Sequence, residues 1–164
     1  MFNGIIYNQG TITKVIKRPK GLNIFVKSNV KVSNKDMGLS VACDGVCLTL
    51  ISYKSKIMEF YLSKETIIRS KFKFLKIKDL INLELPLKYG QKISGHFTQG
   101  HVDTTAKIKK INIIDNSWSI QLEIRNRKFM KFLEEKASIS INGVSLTVSK
   151  VYKKGFLLNV FFPF

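Results

Sequence analysis

Two stretches hold side chains able to do chemistry, and each recurs or concentrates in a way that chance spacing does not explain. Cys47-Leu48-Thr49 returns later as Ser145-Leu146-Thr147. In an extended chain, alternation sends Cys47 and Thr49 to one face and Leu48 to the other, and it does the same for Ser145 and Thr147 against Leu146. Small polar groups paired on one face of a sheet suit hydrogen bonding to a polyhydroxylated or heteroaromatic ligand. The plainer reading is a solvated cross-strand pair. The second stretch, residues 94–105, holds both histidines, His96 and His101, each directly after a glycine, Gly95 and Gly100. Glycine lets backbone approach a ligand closely, and a histidine can move protons near neutral pH. The plainer reading for either is a structural histidine in a turn. Asp103 is the only nearby third ligand, so the pattern does not complete a metal site, and no metal is expected. Cys43 and Cys47 read as neighbours on one strand, pointing to one face. That geometry is poor for a disulfide, so both are read as reduced thiols, or simply as small buried apolar residues.

These groups are positioned by a duplicated unit. The run Ser40 to Leu50 returns as Ser138 to Val148, identical at Ser40/Ser138, Gly45/Gly143, Val46/Val144, Leu48/Leu146 and Thr49/Thr147. A weaker echo relates the chain start to a later segment, with Gly4 matching Gly100, Ile12 matching Ile108, Val15 matching Ile111 and Ile24 matching Ile120. Repeats of this kind mean two copies of one supersecondary unit. Gly4-Ile5-Ile6 thus answers Gly100-His101-Val102. Tyr61-Leu62-Ser63-Lys64-Glu65-Thr66 answers Asn159-Val160-Phe161-Phe162-Pro163-Phe164. Lys136 stands alone before the second copy of the strand and turn. Asp44-Gly45 and Asn142-Gly143 are strong turn signals. Alternating segments at Ile24 to Val26 and Ser119 to Glu123 read as strands. The segment 127–133 reads as a short helix presenting Phe129, Phe132 and Leu133, and 64–73 as another helix or turn. Short strands at regular spacing predict an all-β chain of two tandem antiparallel barrels. The boundaries are 1–92 and 93–164.

Composition bounds the partners. The chain has 164 residues and 45% hydrophobic content, enough for two small cores, with no apolar run long enough for a membrane helix. The first residues lack a signal-peptide pattern, so a cytoplasmic location is expected. Net charge is +17, which raises nucleic-acid binding. The basic residues are nearly all lysines scattered along the chain, however, with arginine only at Arg18, Arg69, Arg125 and Arg127. Base and phosphate readout leans on arginine, so no specific nucleic-acid partner and no membrane partner are expected. Nonspecific attraction to polyanions at low salt is expected.

Met1-Phe2-x-Gly4-Ile5, Gly45-Val46-Cys47-Leu48-Thr49, Lys64-Glu65-Thr66, Gly95-His96-x-x-x-Gly100-His101-Val102 and Gly143-Val144-Ser145-Leu146-Thr147, in that order, resemble the motif set of the riboflavin synthases. The resemblance runs nearly the whole chain. It implies two similar six-stranded barrels, each binding one lumazine, and a homotrimer held by a C-terminal helix. The activity implied is the dismutation of two 6,7-dimethyl-8-ribityllumazine molecules into riboflavin and 5-amino-6-ribitylaminouracil, without metal or cofactor. The family's active site lies where the first barrel of one subunit faces the second barrel of another. A duplicated pocket suits a reaction between two copies of one substrate, because alignment supplies much of the catalysis.

The resemblance makes Ser40, Cys47 and His101 the candidates for nucleophile or proton transfer. It places Gly4, Ile5, Ile6, Leu48, Thr49, Tyr61 to Thr66, Gly100, Val102, Lys136, Ser145, Leu146, Thr147 and Asn159 to Phe164 around the ligands. The sequence departs from the family at Asn142, where aspartate is usual, and at Ala137, where Lys-Gly is usual. The larger departure is at the end. Where the family has a Pro-x-Thr segment, a closing stretch and the trimer helix, this chain reads Phe161-Phe162-Pro163-Phe164, as a frameshift or a natural truncation would produce. The second barrel is therefore expected to be incomplete and the trimer weakened or lost. The alternatives to an active synthase are a non-catalytic lumazine- or flavin-binding protein of the same architecture and an inactive degenerate synthase.

Overall fold

The computed structural model describes residues 1–161 of the chain. The chain is mostly β, as expected, and divides into two compact units. The first comprises Met1–Val102 with Ser140–Val144, and the second comprises Asp103–Ile139 with the residues from Ser145 onward.

The first unit is a closed barrel. Its strands are β1 (Asn8–Arg18), β2 (Gly21–Lys27), β3 (Ser40–Cys43), β4 (Val46–Lys54), β5 (Ile57–Ser63) and β6 (Leu80–Glu84). They follow the order β1-β2-β5-β4-β3-β6 and return to β1. Strand alternation decides what fills it. Val41, Cys43, Leu48, Leu62 and Leu83 point inward and are buried, as are Ile12, Ile24 and Phe60. Burial of such side chains, at about 1.5–3 kcal/mol each, is the main term holding the barrel shut. The segment 64–73 forms α1 (Lys64–Arg69), capped by the Ser63 hydroxyl at the Thr66 N–H, followed by a 3-10 turn over Lys71–Phe74 that buries Phe72.

Five further strands are β7 (Ala106–Ile114), β8 (Ser117–Ile124), β9 (Ser138–Ile141), β10 (Val144–Tyr152) and β11 (Gly155–Phe161), of which Ser140, Ile141 and Val144 are grouped with the first unit. These strands make one five-stranded sheet in the order β7-β8-β11-β10-β9. The duplication extends to irregularities. The bulge between Ile12 and Lys14 recurs between Ile108 and Lys110, and that between Leu50 and Ser52 recurs between Val148 and Lys150. Among the described residues no counterpart of β6 closes this sheet. Its core is correspondingly small, centred on Leu122, Ile124, Val148, Phe156 and Leu158.

Two local expectations are corrected. Cys43 and Cys47 do not share a strand. The Asp44-Gly45 turn, with both residues at positive φ, separates β3 from β4, so Cys43 pairs with Val46 and Cys47 with Ala42. Cys43 therefore points into the core while Cys47 faces out, and both are free thiols. The segment 127–133 forms the expected short helix, of 3-10 type over Arg127–Phe132, but Phe132 does not join a buried apolar face. Phe132 is exposed there, because three residues per turn do not build the broad apolar face an α-helix would present.

Candidate functional site

The candidate residues of the first unit collect on the outer face of the barrel, because the inner face is filled by core side chains. Three strands set a row across that face. Glu84 of β6 pairs with Ala42 of β3, and Ala42 pairs with Cys47 of β4. Two residues along, Ser40 lies directly opposite Thr49. Ser40 and Cys47 are half-buried, Thr49 is exposed, and Leu48 points inward and is buried. The expected alternation of Cys47 and Thr49 against Leu48 therefore holds. Neighbouring same-face positions on one strand lie about 6–7 Å apart, a spacing that lets the Ser40, Thr49 and Cys47 groups meet separate polar atoms of one heteroaromatic ligand.

Two segments cross this row. The first is the chain start. The Glu84 carboxylate accepts the Asn3 N–H at 2.6 Å and the Gly4 N–H at 3.0 Å. Gly4 adopts a φ of 76°, so the chain turns there before Ile5 and Ile6, both half-buried. The second is the glycine- and histidine-bearing stretch. Phe2, fully buried, exchanges backbone hydrogen bonds with Thr98 at 2.8 and 3.0 Å. The Asn3 side-chain oxygen accepts the N–H groups of Ser94 and Gly95 at 3.1 and 2.8 Å. The stretch then reaches β4, where the Gly100 carbonyl accepts the Cys47 N–H at 2.8 Å. Gly100 has a φ of 81°, and a Cβ there would stand 2.7 Å from that of Cys47. Both the left-handed backbone and the close approach require glycine. His101 follows immediately and is exposed, while Val102 packs on the barrel core.

Ser40, Cys47 and Thr49 thus share the outer face of β3 and β4, the Gly100 backbone is bonded to Cys47, and His101 follows Gly100 in the chain. The remaining candidates of this unit sit elsewhere on it. Tyr61 and Ser63 lie on β5, where the Tyr61 hydroxyl donates to the Lys20 carbonyl at 2.8 Å and Ser63 caps α1. The Leu62 side chain belongs to the core, so only its backbone can face a ligand. Lys64, Glu65 and Thr66 form the first turn of α1, with Glu65 paired to Arg69 at 2.9 Å.

In the second unit, Ser145, Leu146 and Thr147 lie on β10, with Leu146 only half-buried where Leu48 is buried. Lys136 is exposed at a φ of 67°, and its N–H donates to the Val148 carbonyl at 2.7 Å. Asn159, Val160 and Phe161 lie on β11, where the Asn159 amide donates to the Ser149 hydroxyl at 2.9 Å. Phe162, Pro163 and Phe164 lie outside the described residues.

Sequence reasoning missed three polar residues that shape the first unit. Glu84 and Asn3 tie the chain start to the barrel. Asp44, buried in the turn, accepts the Asn82 N–H at 2.8 Å and pairs with Lys71 at 2.8 Å. Burial pushes the Asp44 carboxyl up from its usual range, against the pull of Lys71. The available signal was rarity. In a chain with 28 basic and 11 acidic residues, a carboxylate inside an apolar strand pattern, as at Leu80-Ile81-Asn82-Leu83-Glu84, marks a backbone contact that needs an acceptor.

Comparison with known proteins agrees with this architecture. A family model described as lumazine binding domain matches residues 3–86 and again 99–162. The riboflavin synthase of Escherichia coli (strain K12) is 30% identical over 161 residues, covering 98% of this chain and 76% of that protein. The riboflavin synthase of Photobacterium leiognathi is 32% identical over 165 residues, covering 98% of this chain and 73% of that protein. Among solved structures, LumP complexed with 6,7-dimethyl-8-(1'-D-ribityl) lumazine superposes with a TM-score of 0.82 at 18% identity, covering 98% of this chain and 86% of that one. LumP complexed with riboflavin superposes with a TM-score of 0.83 at 19% identity.

Proposed function

The chain belongs to the lumazine-binding domain family, and from that premise we propose that it acts as a riboflavin synthase. It would dismutate two molecules of 6,7-dimethyl-8-ribityllumazine into riboflavin and 5-amino-6-ribitylaminouracil. A four-carbon unit leaves one lumazine and joins the other, so the atoms balance without an outside oxidant. The observation that carries this reading is the outer-face site of the first unit. There the Gly100 carbonyl accepts the Cys47 N–H, Ser40 lies opposite Thr49, and His101 follows Gly100 in the chain, which supports this reading.

Each residue then has a task its geometry allows. The Ser40 and Thr49 hydroxyls and the backbone around Gly4 would orient the ring and the ribityl chain. Cys47, half-buried and outward, is the candidate nucleophile. His101, exposed, is the candidate for moving the proton lost from the methyl group whose carbon attacks the partner lumazine. The repeated Ser145-Leu146-Thr147 face on β10, with Lys136, would hold the second lumazine. General acid–base assistance from such a histidine contributes about 10²–10⁴-fold.

One observation favours a second reading, binding without turnover. The sheet β7-β8-β11-β10-β9 carries a half-exposed repeat face, and a poorly formed second site would leave one lumazine without its partner. A single sample decides between them. The chain is titrated with 6,7-dimethyl-8-ribityllumazine while ligand fluorescence is followed, and riboflavin is then quantified after prolonged incubation. Saturable binding with riboflavin formation supports the synthase. Saturable binding with none supports the binding protein. No saturable binding overturns both.

A further inference from the structure

A cleft of the first unit lies away from the face that carries Ser40, Cys47 and Thr49. It opens between the segment 28–33, which leads from β2 towards β3, and Tyr53 and Lys56 at the far end of the β4–β5 hairpin. Cys47 and Tyr53 lie near opposite ends of β4, separated by about 20 Å of extended chain, so the cleft is distinct from the proposed lumazine site. Its volume is about 710 Å³, in the range of pockets that hold a small organic molecule. Local sequence decides the lining. Asn29-Val30-Lys31-Val32-Ser33 alternates polar and apolar residues. Val30 and Val32 join the barrel core and are buried, while Asn29, Lys31 and Ser33 are exposed. Tyr53, half-buried, packs against the same core and forms a wall of the cleft.

The polar lining is rich in donors and short of free acceptors. Lys56 sits at a φ of 65° in the turn between β4 and β5, a conformation that a lysine holds only against steric cost. Its counterpart in the second repeat, Lys154, is not at positive φ. Two bonds hold Lys56 in place. Its carbonyl accepts the Ser28 N–H at 3.0 Å, and its ammonium donates to the Asn29 side-chain oxygen at 3.1 Å. That bond occupies one ammonium proton and leaves the Asn29 amide nitrogen as a donor. Lys31 adds a second ammonium. Among the described residues neither lysine has a carboxylate partner. Asp36 is the carboxylate of the lining, and its Oδ2 already accepts the Ser33 N–H at 2.7 Å and the Ser33 hydroxyl at 2.8 Å. We propose that this cleft binds the phosphomonoester of a small organic molecule, with the phosphate between Lys31, Lys56 and the Asn29 amide and the organic body along Tyr53. A phosphomonoester offers about two negative charges and three strong acceptor oxygens near neutral pH. Those match two ammonium groups and an amide, and lysines act on phosphate as compact point charges. The volume exceeds what a bare phosphate ion fills, which is why an ester is assigned.

The test uses the whole chain, isotope-labelled for amide NMR, in phosphate-free buffer at about 0.15 M salt, where screening acts over about 8 Å. Phenyl phosphate is the probe. The expected result is saturable shifts at Asn29, Lys31, Ser33 and Lys56, with Cys47, Thr49 and Gly100 unmoved. Lys56→Gly should weaken binding about tenfold, the worth of one hydrogen bond to a charged group. Glycine accepts the φ of 65°, so this variant should keep its fold. Lys31→Ala, at an exposed position, should weaken binding similarly. Lys17→Ala is the control, since it removes the same charge from β1 outside the cleft, and it should leave binding nearly unchanged. Inorganic phosphate should bind about tenfold more weakly than phenyl phosphate, because it buries no apolar surface on Tyr53. Absence of saturable shifts at millimolar phenyl phosphate overturns the proposal. So does equal weakening by Lys17→Ala, which would mean attraction to the net charge of +17 alone. Equal binding of inorganic phosphate overturns the assignment to an ester.

Discussion

The Gly100 carbonyl accepts the Cys47 N–H at 2.8 Å, and a Cβ on Gly100 would lie 2.7 Å from the Cys47 Cβ. This contact joins the glycine–histidine stretch to the strand that bears the thiol, and it places His101 one residue from the Cys47 backbone. Gly100→Ala should therefore act on stability and binding together. A non-glycine residue at that φ costs about 1–3 kcal/mol, and the clash must also push the stretch off β4. Thermal unfolding should shift down, and lumazine affinity should fall more than in an exposed control such as Gly90→Ala, which has open space around its Cβ. Equal effects of the two substitutions on affinity would refute the placement of His101 by Gly100.

His101→Ala should lower riboflavin formation about 10²–10⁴-fold while changing lumazine affinity much less. His96→Ala should lower turnover less, because His96 precedes the contact with β4 and its N–H is used in a backbone bond to Asn3 at 3.1 Å. Turnover and fluorescence titration on both variants check this. Equal losses of turnover would remove His101 from the proton-transfer role.

Glu84→Gln keeps the shape of the side chain but leaves one amide oxygen where two carboxylate oxygens accept the Asn3 and Gly4 N–H groups. Leaving a buried donor unsatisfied costs about 1–3 kcal/mol. Amide exchange at Asn3 and Gly4 should speed up before global unfolding does, and lumazine affinity should drop with it. If exchange at both amides stays at the wild-type rate, Glu84 does not hold the chain start.

Asp44 makes stability depend on pH in a stated direction. Burial raises its carboxyl above the ordinary aspartate value in the folded state, and the Lys71 pair and the Asn82 N–H offset this only in part. A group that binds its proton more tightly when folded stabilises fully below its unfolded pKa, and that contribution is lost as pH rises through the folded value. Wild-type stability should thus fall relative to Asp44→Asn as pH rises from the ordinary aspartate value through the raised one. Urea unfolding of both proteins between about pH 3 and pH 7 reads the difference. A difference that stays flat, or that grows in favour of wild type, would contradict the direction given.

The sequence by itself determined the fold class, the duplication and the family, because these rest on local patterns. Alternation, the Asp44-Gly45 and Asn142-Gly143 turns, and the repeated x-Leu-Thr triplet follow from strand geometry and turn chemistry within a few residues. It also located the residues that now share one face, although it could not say that they do. Cys47 and Gly100 are far apart in the chain, and the bond between them exists only once β3, β4 and β6 fix a row for two segments to cross. Where local reading failed, the cause was local too. Cys43 and Cys47 were placed on one strand although the turn between them reverses the chain and sends one thiol inward and the other out. Glu84 and Asn3 carried no motif, because a carboxylate or amide that satisfies backbone N–H groups more than eighty residues away has no sequence period to betray it. Ile12 and Ile108 make the same point for packing. Both read as core positions of the same repeat, but burial is decided by whether a strand lies alongside. β6 covers the first and, among the described residues, no strand covers the second.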